Sequence, residues 1–237
     1  MTVVLYDKIG YNSDVLLHLP FREATGTITQ DIAKPHHPIT LHLAPTWTTL
    51  GSGLGALTFN GTTQYAQCLP ADCADLNFMA GDYSISAWIN WSAGSTSQYI
   101  VNRYELNVSG WGLYLTEYGG NFSLTIRHHH AGTIVDGERR TAGTSTGWTQ
   151  GTWHHVGVSR SGSAAPHYRN GVPLDMGYST GGLVDPETSN QYLIIGARYT
   201  LNADWYNGPM VHLKVYDAAL TQADFKAMYD IEKRWFT

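Results

Sequence analysis

Three tryptophans, Trp47, Trp148 and Trp205, lie in stretches that predict loops and not alternating strands. Tryptophans in loops at the rim of a β-domain stack on sugar faces or become buried against a protein partner, where large aromatics dominate the interface energetics. The alternative, to which we give equal weight, is that the rings plug the open ends of the domain. These three residues are the candidate ligand- or partner-binding residues.

Four oxygen-bearing side chains in predicted loops are candidate metal ligands: Asp82, Asp185, Asn202 and Asp204. Calcium requires several oxygen ligands supplied by neighbouring loops. The sequence contains no contiguous calcium-binding motif. Calcium is therefore the one candidate cofactor, and nothing in the sequence requires it.

The acidic residues lack the pattern of a glycosidase, which needs two carboxylates flanking the scissile bond. Glu105 and Glu117 fall on or near adjacent strands and could converge, although solvated strand ends are the favoured interpretation. Two Gly-x-Ser-x-Gly segments, at residues 143–147 and 177–181, lack the helix that must follow a nucleophile elbow. The sequence therefore favours a protein that is not an enzyme.

Histidine and cysteine residues form two further groups. His128, His129 and His130 are consecutive, and successive strand residues point to opposite faces, so we expect an exposed strand end and not a metal site. Cys68 and Cys73 are spaced closely enough for a small disulfide loop. Two reduced thiols are the default expectation for a chain without a secretion signal.

The composition excludes several classes of protein. Charged residues make up 14% of the 237 residues, against about 25% in an ordinary soluble domain, and aromatic residues make up 12%. Abundant Thr, Tyr, Trp and Gly are typical of β-structure. This composition disfavours a coiled coil or a disordered chain, and the sparse, scattered Lys and Arg disfavour nucleic-acid binding. No apolar run approaches the length of a membrane span.

Short segments in which apolar and polar side chains alternate recur along the chain and predict β-strands. In residues 83–91, Tyr83, Ile85 and Ile89 share one face. Asn60-Gly61 is the turn signal of a hairpin. Strands that recur at this spacing with glycine-rich turns indicate a sandwich or a barrel, and all-β chains of this length often form a single domain. We expect one domain over residues 1–237 with its core at about 14–230.

A single helix is predicted close to the C-terminus. Thr221 is a suitable N-cap residue, and Asp224 can complete a capping box. Phe225, Met228 and Tyr229 follow at the spacing of one apolar helix face. Residues 21–49 show the least regular pattern and predict loops.

Seven segments in a characteristic order resemble the laminin-G-like domains of the concanavalin A-like lectins and glucanases, in particular the branch related to pentraxins. Gly151–Val158, for example, is similar to the family's W-x-H-V-A strand. The other segments are Val15–Leu19, Gly55–Gly61, Tyr83–Ile89, Tyr168–Val172, Leu193–Gly196 and Tyr206–Leu220. The resemblance implies an all-β, two-sheet antiparallel jelly-roll sandwich with one short C-terminal helix.

The chain departs from the family on the last strand. Family members usually carry an acidic pair there, and an acidic residue at that point can support a structural cation. Val211 and His212 occupy the matching positions in this sequence. The departure weakens the expectation of calcium. The fold hosts lectins, adhesion modules, glycosidases, lyases and virion proteins, so it does not determine the ligand.

The first functional hypothesis is a non-catalytic binding module, more specifically an accessory phage virion protein that decorates a capsid or belongs to a tail. The N-terminal residues show no secretion signal, so we expect synthesis in the cytoplasm and release within a virion. Expected partners are other virion proteins or surface glycans, with many copies per assembly, and neither nucleic acid nor a membrane. The second hypothesis is a free, extracellular carbohydrate-binding lectin, and the third is a glycan hydrolase or lyase with an unfamiliar site.

Overall fold

Seventeen β-strands and one α-helix are present in the part of the chain that the computed structural model describes, which is residues 14–118, 121–131, 138–140, 147–175, 178–179 and 183–236. In chain order they are β1 (Val15–Leu19), β2 (Ile28–Gln30), β3 (Pro38–His42), β4 (Thr46–Thr49), β5 (Gly55–Asn60), β6 (Tyr65–Cys68), β7 (Tyr83–Ile89), β8 (Ser97–Glu105), β9 (Ser109–Tyr118), β10 (Asn121–His128), β11 (Glu138–Arg140), β12 (His154–Arg160), β13 (His167–Arg169), β14 (Val172–Pro173), β15 (Tyr178–Ser179), β16 (Leu193–Ile195), β17 (Asn207–Tyr216) and α1 (Gln222–Glu232).

The strands form two antiparallel sheets, which confirms the predicted two-sheet sandwich. Sheet A has the order β14-β13-β12-β7-β17-β5-β4, and β1 also pairs with β17. Sheet B has the order β15-β11-β10-β9-β8-β16-β6-β3-β2. The first half of β17 pairs with β5 and its second half with β1. A register irregularity in β17 falls at His212, whose backbone has a φ of 50°.

The core lies between the sheets and follows from the alternation along the strands. Ile85 and Ile89 of β7 face Leu113 and Ile126 of sheet B within one buried cluster. The opposite face of β7 is also buried, because the chain end covers it. Both faces of this central strand are therefore buried, and the helix packs on the outer side of sheet A.

Helix α1 begins as the sequence predicts. The Asp224 amide donates to Oγ1 of Thr221, and the Thr221 amide donates to Oδ2 of Asp224 at 2.7 Å, so the capping box is complete. Phe225 stacks on Tyr168 with a centroid distance of 4.3 Å and lies over Gly157, where no Cβ would fit. The helix thus packs on the outer face of sheet A. Within the described ranges, no helix combines the length and the apolar character needed to cross a membrane.

The prediction of loops throughout residues 21–49 is wrong, because this region contains β2, β3 and β4. These strands are short and lie towards sheet edges, where few residues alternate before the chain turns. Ile39 and Leu41 are buried, and β3 pairs with β6 about two dozen residues further along. A pairing between segments so far apart in the chain leaves little local signal.

The histidine run is not an exposed strand end. His128 ends β10, and both His128 and His129 are fully buried. Nε2 of His128 lies 2.6 Å from the hydroxyl of Tyr83, and Nδ1 lies 2.6 Å from the carbonyl of Val184. The expectation failed because adjacent polar residues suggest solvent, whereas these two side chains fill interior positions on opposite sides of the strand.

Candidate functional site

Three aromatic rings lie side by side on the outer face of sheet B. The rings of His42 and Tyr65 stack with a centroid distance of 4.6 Å and an interplanar angle of 5°. The ring of Trp205 lies 6.3 Å from that of Tyr65, tilted by 48°. All three residues are half-buried, so each keeps surface towards solvent. We call His42, Tyr65 and Trp205 the aromatic platform.

Strand alternation places two of these rings. In β3, Ile39 and Leu41 point into the core, so His42 points outwards. In β6, Ala66 points into the core, and Tyr65 therefore points outwards. His42 and Tyr65 are directly paired in the register of β3 and β6, which brings the two side chains into contact.

A loop between β16 and β17 positions the third ring. The amide of Tyr206 donates to the carbonyl of Gly196 at 2.9 Å, which closes the loop at its base. Nη1 of Arg198 lies 3.5 Å from Oδ2 of Asp204 across the loop. Burial raises the pKa of Asp204, and the Arg198 guanidinium offsets part of that rise. The closed loop holds Trp205 over the edge of Tyr65.

Polar groups surround the aromatic platform. Thr40 and Gln67 are paired opposite each other on the same outer face, one exposed and one half-buried. Burial lowers the pKa of His42, so the imidazole is neutral near pH 7, and its buried Nε2 has no hydrogen-bond partner. Tyr192, at the end of β16, is 41% exposed. Flat aromatic faces bordered by amide and hydroxyl groups suit a ligand with apolar faces and polar edges.

A second aromatic group on sheet B is closed to solvent. Tyr99, Tyr104 and Tyr114 are each at most 5% exposed, and the hydroxyl of Tyr104 donates to that of Tyr99 at 2.8 Å. Burial raises the pKa of Tyr99 and of Tyr104, so both hydroxyls stay protonated. Tyr199, in the same loop as Trp205, packs on Tyr104 with a centroid distance of 4.5 Å. This group anchors the loop and does not offer a ligand surface.

The structure separates the three predicted tryptophans. Trp205 belongs to the aromatic platform. Trp148 is 5% exposed and packs against Trp91, with the guanidinium of Arg169 4.8 Å from its ring centre, so it closes the core as the alternative interpretation proposed. Trp47 lies in strand β4 and not in a loop, packs against the core, and donates from Nε1 to the carbonyl of Gly26 at 3.1 Å.

The four candidate calcium ligands occupy two places. The carboxylate of Asp185 pairs with Arg160, and that of Asp82 accepts hydrogen bonds from Ser161 and Gly162. Asn202 and Asp204 belong to the closed loop: Oδ1 of Asn202 accepts from Thr200, and Asp204 pairs with Arg198. Across the described part of the chain, no three His, Cys, Asp or Glu side chains are grouped to hold a metal ion.

The two carboxylates considered for hydrolysis do not converge. Glu105 pairs with Ser109 at one end of the β8–β9 ladder, whereas Glu117 lies beyond Thr116, which pairs with Ser97 at the other end. Eight residues of β8 separate these ends, which corresponds to about 25 Å along the strand. Paired carboxylates of a glycosidase stand within about 10 Å. The two Gly-x-Ser-x-Gly segments fall partly outside the described residues.

A family model identifies the superfamily of this chain. Residues 60–225 match the concanavalin A-like lectin/glucanases superfamily, which is well over half of the sequence. The chain belongs to this superfamily. No curated protein sequence matches it.

Solved structures show the same sandwich. The binding domain of botulinum neurotoxin DC in complex with SialylT aligns with a TM-score of 0.68 and 13% identity, over 93% of this chain and 52% of that one. The binding domain of Paraclostridial mosquitocidal protein 1 aligns with a TM-score of 0.67 and 15% identity, over the same shares. This superfamily member thus spans about half the length of those toxin domains. Such low identities establish the fold alone.

A third solved structure is similar over almost its whole length. Domain 4 of AbnA, a GH43 extracellular arabinanase from Geobacillus stearothermophilus, in complex with arabinotriose, aligns with a TM-score of 0.64 and 18% identity. The alignment covers 91% of this chain and 98% of that domain. The concanavalin A-like fold therefore occurs at this size as a separate domain of a larger enzyme.

Sequence reasoning missed two residues of the aromatic platform in this superfamily member. His42 lies in the region that was predicted to form loops, and Tyr65 was seen only as part of a hairpin motif. A usable signal was present in each strand, because an aromatic side chain occupies an outward position next to a residue that points into the core. These neighbours are Leu41 beside His42 and Ala66 beside Tyr65. The contact between His42 and Tyr65 depends on the register in which β3 pairs with β6, and no local sequence pattern specifies that register.

Proposed function

We propose that this domain is a non-catalytic carbohydrate-binding module whose ligand stacks on the aromatic platform. The observation that carries the proposal is the row of His42, Tyr65 and Trp205 on the open face of sheet B. Sugar rings have apolar C–H faces and hydroxyl edges, which complement flat rings bordered by Thr40 and Gln67. The separation of Glu105 from Glu117 supports binding without hydrolysis at these carboxylates.

The related domains support the class of ligand. One superposable domain is described in complex with arabinotriose, and a toxin binding domain in complex with SialylT. The same toxin binding domain is also described in complex with rat synaptotagmin II, a protein. We favour a glycan because the platform combines half-exposed rings with amide and hydroxyl groups.

The more specific role in a phage virion stays a prediction, as do calcium binding and the pentraxin-related branch. The solved structures described above do not bear on a virion, and the aromatic platform would serve a free lectin or a module of a longer enzyme equally well. If calcium binds, we expect it beside Asn202 and Asp204, where it would stiffen the loop that carries Trp205.

The test is isothermal titration calorimetry with a neutral ligand, arabinotriose, after a glycan array has ranked other sugars. Trp205→Ala and Tyr65→Ala should each weaken binding by about tenfold or more, because each removes a stacking face. Val172→Ala is the control, since Val172 is 56% exposed and lies on β14 at the edge of sheet A.

Circular dichroism should show that the three variants remain folded. Equal loss of affinity in Val172→Ala, or full affinity in both platform variants, would contradict a ligand site on sheet B. Binding of no glycan on a broad array would remove the proposed function and leave a protein partner as the remaining interpretation.

A further inference from the structure

A cavity of about 320 Å³ opens on the other side of the molecule, at the edge of the helix-covered face of sheet A. Its floor is formed by His18 of β1 and by His212 and Lys214 of β17, and its rim by Arg22 and Arg234. This volume lies at the small end of ligand-binding clefts, which hold about 300–1,000 Å³. A single sugar ring or a smaller ligand would fill it.

The charges around this cavity are mostly positive. Lys214 pairs with Glu232 at 2.6 Å, so these two charges compensate each other. Arg22 and Arg234 are exposed and form no ion pair with any described residue. The last turn of α1 contributes about half a negative charge, which does not balance two guanidinium groups. The protein as a whole carries a formal charge of −5, so this positive spot stands out against its background.

The two histidines of the floor point at each other. Nε2 of His18 lies 3.3 Å from Nδ1 of His212, because the irregularity at His212 turns its ring towards β1. Burial, followed by the charge of Lys214, lowers the pKa of His18 to about 2 and that of His212 to about 4. Arg22 contributes to both shifts, whereas the carboxylate of Glu232, which also lines the cavity, opposes them. A metal cation between the rings would be repelled by Arg22, whose charge no described ion pair compensates, whereas an anion would be attracted.

We propose that this cavity binds a small oxyanion: a carboxylate, sulfate or phosphate group on a ligand no larger than one sugar ring. Arg22 and Arg234 supply the planar donors that match oxyanion geometry. The ring of Trp235, beside the guanidinium of Arg234 at 5.2 Å, supplies an apolar wall. The neutral imidazoles of His18 and His212 share one hydrogen bond, so the ring that accepts it has its N–H on the other nitrogen and can donate that N–H to the ligand. This site is separate from the aromatic platform, which lies on the opposite sheet.

The experiment is calorimetric titration at fixed ionic strength with sodium sulfate, sodium glucuronate and, as the neutral counterpart, glucose. Both anions should bind, and glucose should not. Arg22→Gln and Arg234→Gln should each weaken anion binding by about tenfold, and the double variant should abolish it. Lys226→Gln removes the same charge from an exposed position on α1 that does not line the cavity, and should bind anions as the unmodified protein does.

The outcomes separate the source of the anion and the two proposals. Binding of sulfate without glucuronate would assign a free inorganic anion, and binding of both would assign an acidic sugar. Tyr65→Ala should leave glucuronate affinity unchanged, so failure of the platform would not imitate failure of this site. Equal binding of glucose, no binding of either anion at millimolar concentration, or an Arg22→Gln/Arg234→Gln protein with unchanged affinity would overturn the proposal.

Discussion

The outer faces of the two sheets meet their surroundings in opposite ways. On sheet A the chain end covers aromatic side chains: Trp88 stacks on Tyr229 and on Phe236, and its Nε1 donates to Glu232 at 2.6 Å. On sheet B the aromatic platform stays half-exposed. Outward aromatic side chains are thus covered on sheet A and half-exposed on sheet B. Burial under the protein's own helix stabilises the fold, whereas the half-exposed rings of sheet B remain accessible to the ligand that we propose.

The comparison also holds for charge. Beneath α1, Lys214 and Glu232 form a buried pair, and although burial raises the pKa of Glu232, Lys214, His212 and His155 together hold it at about 2. Beside the aromatic platform, the ion pair between Arg198 and Asp204 is partly exposed, and its N–O distance is 3.5 Å. Removing charge should therefore affect stability at sheet A and ligand binding at sheet B.

The largest effect should follow from Glu232→Ala. The substitution leaves Lys214 buried without its partner and should cost about 3–5 kcal/mol in the free energy of unfolding, measured by urea denaturation. Replacing both residues, with Lys214→Met and Glu232→Leu, should recover most of that loss because no unpaired charge remains. Arabinotriose affinity should be unchanged wherever Glu232→Ala is still folded. A cost below about 1 kcal/mol would contradict the contrast between the faces.

An intermediate effect should appear in the pH dependence of stability. The folded protein holds His18 neutral until about pH 2, whereas an unfolded chain takes up the proton near pH 6.5. The contribution of neutral His18 to the free energy of unfolding is therefore complete above pH 6.5 and is lost as the pH falls. Between pH 6.5 and about 5 the loss is about 2 kcal/mol, and His18→Gln should remove that share.

The matched variant for this measurement is His42→Gln on the aromatic platform. Burial lowers the pKa of His42 as well, but the ring is less enclosed and no cationic side chain adds to the effect. The free energy of unfolding should be measured with urea at about pH 7 and about pH 5. Its loss between these two pH values should be reduced more by His18→Gln than by His42→Gln. If both variants lost as much free energy of unfolding between these pH values as the unmodified protein does, the effect would not belong to His18.

The smallest effect should follow from Tyr65→Phe, which removes one hydroxyl and keeps the ring. The free energy of unfolding should change by less than about 0.5 kcal/mol, as for most surface substitutions. Arabinotriose affinity should fall less than in Tyr65→Ala, as calorimetry would show. If Tyr65→Phe and Tyr65→Ala lose affinity equally, a hydrogen bond from the hydroxyl and not ring stacking is the main contact.

Much of the architecture could be predicted because its signals are local. The alternation in β7 and the capping box of α1 each depend on neighbouring residues, and both are present in the structure. The chain does turn at Asn60 and Gly61, but the predicted hairpin is wrong, because β5 belongs to sheet A and β6 to sheet B. The segments β2, β3 and β4 were not predicted, since they are only three to five residues long and show little alternation. In addition, β3 pairs with the distant strand β6, a contact that leaves no local signal. Trp205 was a candidate site residue because a loop tryptophan is visible in the sequence.

The sequence by itself determined the alternation of β7 and the start of the helix, and its sparse Lys and Arg disfavour nucleic-acid binding, because these features depend on residue type and on spacing within one segment. Only the tertiary structure decided which outward side chains meet. Register joins His42 to Tyr65, a closed loop adds Trp205, and an irregular strand turns His212 towards His18 across 194 residues. Such contacts form when distant segments pack together, and no local pattern encodes that packing.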